Sequence, residues 1–285
     1  MSTVWTAVVP VKRLDAAKTR LRGALPGIAH ERLVLALVQD TVAAVLACPD
    51  IAELMVVTSE PAVAGAVAAL GARAVPDSPE AGLNPAFAHG GRLAGDLPVV
   101  ALAGDLPALR PEELSAALSA TGRRRSFVPD AAGTGTTLLA SPAGTALDPR
   151  FGPGSAAAHA GSGATALDGP WPSLRHDVDT GADLAAAAAL GLGTRTDALF
   201  RAHASTSTER RYRSGMQGTV ASYDPDGRSG TVLLDDGTEV AFPANAFDAS
   251  GLRLLRPGQR VRLEHRDGEI SGLALITMPR EGADR

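Results

Sequence analysis

The sequence predicts a three-layer α/β domain followed by a small all-β barrel, and three observations carry that prediction. Over residues 1 to about 200, short apolar runs rich in β-formers alternate with longer Ala/Leu stretches at helical spacing. The apolar runs have no polar face, which is the pattern of a mostly parallel sheet covered on both sides. Beyond residue 215 the pattern changes to short β-like runs broken by tight-turn dipeptides.

Taken in order, residues 4–10 read as the first strand, 30–48 as a helix, 54–58 as a strand and 61–70 as a helix. Leu83-Asn84-Pro85 opens a further helix after a glycine. The run 98–103 is a continuous apolar strand. The helix 111–121 after it opens on Pro111 and two glutamates, as a helix N-terminus prefers. Residues 127–129 and 136–140 are short strands, and 181–190 is a helix behind an Asp/Thr cap.

Residues 201–215 (RAHASTSTERRYRSG) are polar, lack an apolar period and carry four Arg against one Glu, so a flexible linker is expected there. The domains expected are therefore 1–200, a linker over 201–215, and 216–285. In the last, strands are expected at 217–223, 230–234, 239–242, 260–264 and 270–276. The breaks are Asp226-Gly227, Asp236-Gly237, Pro257-Gly258 and Asp267-Gly268. Five strands in so short a span suggest a small barrel.

Composition narrows the function classes. The 285 residues are 45% hydrophobic and 20% charged, which excludes wholesale disorder and fibrous or coiled-coil chains. The single cysteine, Cys48, cannot form an internal disulfide, and no Cys/His cluster has zinc spacing. The first apolar stretch precedes the first positive charges, the wrong order for a signal peptide, and no run reaches membrane-span length. A cytoplasmic, membrane-free protein is expected. Of the 27 basic residues only Lys12 and Lys18 are lysines, which points to sites where a compact ammonium is needed and a guanidinium fork does not serve.

In an open parallel sheet, ligands gather beyond the carboxyl ends of the strands. The strand 98–103 ends in Gly104-Asp105-Leu106-Pro107, which puts a carboxylate at that edge; helix capping is the plainer role for such an Asp. Asp177-Val178-Asp179-Thr180 follows the run 174–176 and precedes a helix, so one carboxylate can face the site while the other caps. Two carboxylates from different strands suit a magnesium ion whose remaining ligands are phosphates. The glycine-rich stretches 133–137 (GTGTT) and 151–155 (FGPGS) offer backbone amides to an anion. Lys12, Arg13, Lys18 and Arg20 supply cations for a polyphosphate. Asn84 either reads a base edge or caps its helix. His159 and His176 lie near the site and are given no role.

The stretches PVKRLDAAKTRL, GDLPAL, RRSFVPD, GTGTTLL, RFGPGSAAAH and HDVDTGADL together resemble the phosphoenolpyruvate or 2-phospholactate guanylyltransferases of coenzyme F(420) biosynthesis, over nearly all of residues 4–200. The resemblance implies a Rossmann-like nucleotidyltransferase fold and GMP transfer from GTP to phosphoenolpyruvate, or to 2-phospho-L-lactate. It implies Mg2+ as the metal, on Asp105 and Asp177. It implies phosphoenolpyruvate on Thr137, Gly152 and Ser155, and places Lys12, Arg13 and Lys18 near the GTP phosphates. The segment 218–265 resembles a cold-shock domain, which implies a five-stranded OB-type barrel in which bases stack on exposed aromatics of two neighbouring strands. Of those aromatics it retains Phe242 and Phe247, with Tyr223, and residues 215–285 carry 8 Arg against 11 Asp and Glu. No nucleic-acid partner is expected. The alternative is a nucleic-acid-binding or regulatory module made of the barrel with Arg210, Arg211 and Arg213.

Overall fold

The computed structural model describes residues 4–15, 17–78, 80–213, 216–266 and 269–276. Its internal contacts divide the chain into two compact units, Met1–His203 and Ala204–Arg285. Among the described residues the first unit holds a seven-stranded sheet. In chain order its elements begin with β1 (Trp5–Pro10), α1 (His30–Ala47), β2 (Ile51–Val57), α2 (Pro61–Ala68) and β3 (Arg73–Val75). They continue with α3 (Leu83–Leu93), β4 (Val99–Leu102), α4 (Pro111–Ser119), β5 (Ser126–Pro129) and β6 (Thr136–Ser141). The last are α5 (Ser155–Gly161), β7 (Thr165–Ala166), α6 (Pro172–Arg175), α7 (Gly181–Leu190) and α8 (Thr194–Arg213), whose residues from 204 onward fall in the second unit.

The strand order is β3-β2-β1-β4-β6-β5-β7, with β6 antiparallel to both its neighbours and the other pairings parallel. Alternate side chains of each strand leave by opposite faces. Trp5, Ala7 and Val9 join a core formed with Val34, Val38 and Val42 of α1, Val63 and Val67 of α2, and Leu114 of α4. Val8, Met55 and Ala101 leave by the other face and meet Ala86 and Phe87 of α3 and Ala156 of α5. These are the three layers the apolar strands require. Helix α3 lies close on β1, where a Cβ at Gly90 would collide with the Val8 side chain.

A third cluster binds the far side of α1 to α7 and α8, through Leu33 and Leu37 against Leu184 and Leu199. Helix α8 starts over a buried carboxylate. Asp40 of α1 accepts from the N–H groups of Arg195 (3.2 Å) and Thr196 (2.7 Å), which have no partner within the helix. The stretch 201–213, expected as an irregular linker, is the continuation of this helix. Its Ala, Glu and Arg residues favour helix, and Arg201 pairs with Asp197 one turn earlier at 2.7 Å. A missing apolar period describes how a helix packs, not whether it forms.

The second unit is a five-stranded antiparallel sheet, order β10-β9-β8-β11-β12, built from β8 (Met216–Asp224), β9 (Ser229–Leu234), β10 (Glu239–Phe242), β11 (Arg260–Arg266) and β12 (Glu269–Leu275). Helix α9 (Ala244–Ala249) follows β10 and packs against β12. Val220, Val232, Phe242, Phe247, Val261 and Leu263 form its core. Phe247, expected on a strand, lies on α9 and is buried, as is Phe242. The turn expected at Asp236-Gly237 is present, with Gly237 at φ 84°; Asp267-Gly268 lies outside the described residues. No described helix is long and apolar enough to cross a membrane.

Replacing Asp40 by Ala leaves two buried N–H groups without an acceptor. The expected loss is about 2 kcal/mol of unfolding free energy in urea titrations, with a smaller loss for Asp40→Asn, whose amide oxygen still accepts.

Candidate functional site

A cleft of about 690 Å³ opens at the carboxyl ends of β1 and β4, where the strand order reverses direction. That volume suits small-molecule ligands. Asp105 lies just past β4 and is only 9% exposed. Its loop is held on one side by Leu106 N–H, which donates to the Thr41 hydroxyl of α1 (2.9 Å). On the other side the Asp105 carbonyl accepts from Val178 N–H (3.0 Å), which draws residues 177–179 onto the end of β4.

The sequence places Asp177 after a strand-like run, but residues 172–175 form the short helix α6. Glu113 anchors that helix by accepting from Ser173 N–H (2.8 Å) and the Ser173 hydroxyl (2.7 Å). The expected division of labour in the DVDT segment is also different. Thr180 and Asp183 form a reciprocal capping box at the start of α7. Neither Asp177 nor Asp179 supplies the cap, and both carboxylates join Asp105.

Asp105, Asp177 and Asp179 each present a carboxylate oxygen within 4.8 Å of the others. Three hard oxygen donors at this spacing fit a divalent cation. Their mutual repulsion is visible in Asp177, whose pKa is pushed up to about 6 by burial and then by the charge of Asp105. Lys18 pairs with Asp105 and Asp179. Burial opposes its ammonium, yet the two carboxylates more than offset that and raise its pKa above the ordinary lysine range. Lys18 is also one of three non-glycine residues with positive φ among the described residues (52°), a sparsely populated conformation for a lysine.

Lys12 lines the cleft, as does Arg20, whereas Arg13 does not line it and pairs with Asp15 (3.4 Å). Gly152 and Ser155 line its other side. Gly152 and Gly154 have φ of 133° and 72°, conformations that favour glycine, so the FGPGS turn depends on both. Asn84 neither caps its helix nor faces the cleft with a free amide. Its Oδ1 accepts from Phe151 N–H (2.7 Å) and its Nδ2 donates to the Phe151 carbonyl (2.9 Å), which pins the turn to α3.

Thr137 is 1% exposed and does not line the cleft, and its hydroxyl has no partner among the described residues. Thr136 lines the cleft instead. Pro129 pairs with Thr136 and Val128 with Leu138, so Thr137 is the extra residue of a β-bulge that shifts which side chain faces the site. Asp130 supports the same edge, its Oδ1 accepting from Thr134 N–H at 2.9 Å. Asp179, Thr136 and Asp130 thus line the cleft although the sequence reading did not choose them. Asp179 had a signal, since residues two apart in extended chain point the same way.

A model of the family described as "Guanylyl transferase CofC like" matches residues 5–202. The chain belongs to that family. Among its relatives, the phosphoenolpyruvate guanylyltransferase of Salinispora arenicola is 61% identical over 210 residues, 73% of this chain and 98% of that protein. The phosphoenolpyruvate guanylyltransferase of Geodermatophilus obscurus is 58% identical over 202 residues, 69% of this chain and 94% of the relative. Among solved structures, a protein of Desulfovibrio desulfuricans G20, named provisionally as a nucleotide-diphospho-sugar transferase, superposes with a TM-score of 0.53 at 16% identity. It covers 71% of this chain and 96% of its own. That likeness shows the fold of the first unit, a three-layer α/β sandwich.

His159 of α5 is fully buried behind the cleft, between Phe127 and Phe151. Its Nε2 accepts from Arg150 N–H (2.9 Å) and its Nδ1 meets the Thr136 hydroxyl (3.0 Å). Burial, then the nearby Arg125, lowers its pKa from 6.5 to about 4. Above pH 6.5 the ring is neutral in both folded and unfolded states, so its contribution to stability is complete. As pH falls from 6.5 to about 4, the unfolded chain takes a proton that the folded one refuses, and about 3 kcal/mol of stability is lost. Asp177, raised to about 6, titrates over much of the same window with the opposite sign, so the slope is read as a difference: the native protein should lose about 3 kcal/mol more than His159→Gln in urea titrations across it.

Proposed function

We propose that the first unit transfers GMP from GTP to phosphoenolpyruvate, giving enolpyruvoyl-2-diphospho-5'-guanosine and pyrophosphate, as a step of coenzyme F(420) biosynthesis. The observation that carries this reading is the convergence of Asp105, Asp177 and Asp179 with Lys18 on a cleft lined by further cations and a glycine turn. The family match and the name shared by the relatives supply the two substrates.

In the reaction an oxygen of the acceptor phosphate forms a bond to the α-phosphorus of GTP. The bond from that phosphorus to the bridging oxygen of the β-phosphate breaks, and pyrophosphate leaves with the electron pair. The acceptor phosphate is already largely ionised near neutral pH, so no general base from the chain is needed. Asp105, Asp177 and Asp179 would hold Mg2+, which when bound supplies positive charge between the two phosphorylated molecules. Lys12 and Arg20 receive the departing phosphates at the cleft wall, and Lys18 balances the carboxylates. Thr136, Gly152 and Ser155 hold the acceptor. The chain's contribution is position and charge, as in other phosphoryl and nucleotidyl transfers.

The deciding experiment incubates the purified protein with Mg2+, GTP and either phosphoenolpyruvate or 2-phospho-L-lactate and measures pyrophosphate. Release with phosphoenolpyruvate, abolished by a chelator, is expected. Silence with phosphoenolpyruvate overturns the reading, and turnover of 2-phospho-L-lactate alone transfers it to that acceptor. Asp105→Asn and Asp179→Asn should each lower kcat about a hundredfold or more with the fold intact by circular dichroism, since a neutral amide is a poor ligand for a hard cation.

For the second unit, the burial of Phe242 and Phe247 and the acidic balance of residues 215–285 favour a module without affinity for nucleic acid. A mobility-shift titration of the full chain with a single-stranded oligonucleotide at low salt should show no complex. A salt-dependent shift would restore the binding-module alternative.

A further inference from the structure

We propose that Asp77 is the residue that selects the purine of the donor nucleotide, its carboxylate accepting the N1–H and N2–H groups of guanine. The inference rests on the reading of GTP as donor and names the base-recognising group of the same site.

Placement is the first support. Thr136, Gly152 and Ser155 lie on or after strands of the β4-β6-β5 half, and the three carboxylates lie at the reversal between β1 and β4. A nucleotide whose α-phosphate meets an acceptor arriving from that half extends its nucleoside toward the β1-β2-β3 half. Asp77 follows β3 by two residues, two strand spacings or about 10 Å from the end of β1; its side chain does not line the cleft in this structure and would turn outward to meet a base. Val11, leaving β1, and Leu83, opening α3, give the cleft apolar surface for a flat ring.

The second support is an unmatched acceptor. Asp77 Oδ1 is buried and has no hydrogen-bond partner among the described residues. Three other buried side-chain atoms share that state, on His30, Thr137 and Thr196, and Asp77 alone among these residues is a carboxylate. A native fold seldom leaves such an oxygen unsatisfied unless something else brings the donor. The segment carrying it is fixed from behind: Thr58 N–H donates to the Val75 carbonyl (2.8 Å) and the Ser59 hydroxyl to the Asp77 carbonyl (3.3 Å). Burial and then Glu80 raise the Asp77 pKa, while His89 and the cleft residue Lys12 oppose them.

The chemistry then selects the base. A carboxylate has two acceptor oxygens and no donor, and guanine presents two adjacent N–H donors on one edge. Adenine presents one donor beside an unprotonated ring nitrogen, whose lone pair would face the carboxylate. A site that desolvates its polar group rejects the analogue that cannot pair with it.

Calorimetry of GTP, ITP, XTP and ATP binding to the full chain, native and Asp77→Asn, tests this without requiring turnover. Native protein should bind ITP, which lacks the 2-amino group, about tenfold more weakly than GTP, and ATP about a hundredfold more weakly. An asparagine offers one acceptor and one donor, the complement of xanthine, so Asp77→Asn should lose GTP affinity and gain XTP affinity. A change of about a hundredfold in the GTP/XTP ratio is expected. A merely structural Asp77 would weaken all four nucleotides together. Equal binding of GTP and ITP by the native protein overturns the proposal even where the variant does not fold, as does an unchanged GTP/XTP ratio in a folded variant. Pyrophosphate release with phosphoenolpyruvate, followed in parallel, fails separately if the donor or acceptor reading is wrong.

Discussion

Like charges held together at the end of a sheet are the constraint on which the rest of the first unit depends. Carboxylates about 4 Å apart repel by on the order of 4 kcal/mol at the effective dielectric of a protein surface. The fold must supply that energy before any ligand arrives. It does so with neutral groups behind the charges: the Thr41 hydroxyl on one side of Asp105 and the Val178 N–H on the other. Lys18 closes the arrangement from the front, in a backbone conformation that lysine rarely adopts. Sequence separation is large throughout, since the groups come from residues 18, 105, 177 and 179. The whole chain up to α7 must therefore fold before the cluster exists.

The glycine-rich side of the cleft is built by a different device. Strand β6 runs against its neighbours, so its start, at Thr136, lies at the same edge as the end of β4. The GTGTT turn thereby reaches the edge that carries Asp105. Asn84, Asp130 and the Phe87–Phe151 stack, with ring centroids 4.2 Å apart, hold the two glycine-rich turns from outside the cleft. None of these supports carries a net charge into that wall apart from Asp130, whose Oδ1 is committed to Thr134. An anion can be received there by backbone amides and hydroxyls.

Much of this was legible in the residues themselves. The apolar strands, the helix starts at Pro61 and Pro111 and the carboxylate after 98–103 follow from local rules, and the structure places them where those rules put them. What escaped was set by pairing that local rules do not see. The bulge at Thr137 is a relation between β5 and β6, so no count along one strand could tell which threonine faces the cleft. Asn84 looked like a cap or a base reader because its partner, Phe151, is 67 residues away. The helix over 201–213 escaped because apolar periodicity was weighed above intrinsic propensity. Asp179 was the avoidable omission, two residues from an aspartate already chosen.

The imidazole of His159 carries a consequence for handedness of proton donation. Because Nε2 accepts the Arg150 amide, a neutral ring must carry its hydrogen on Nδ1 and donate it to Thr136. One lone pair of that threonine oxygen is thereby occupied, and its own hydrogen is turned away from the ring. A buried tautomer thus fixes one side of a hydroxyl at the cleft wall and leaves its hydrogen and its second lone pair free for another partner.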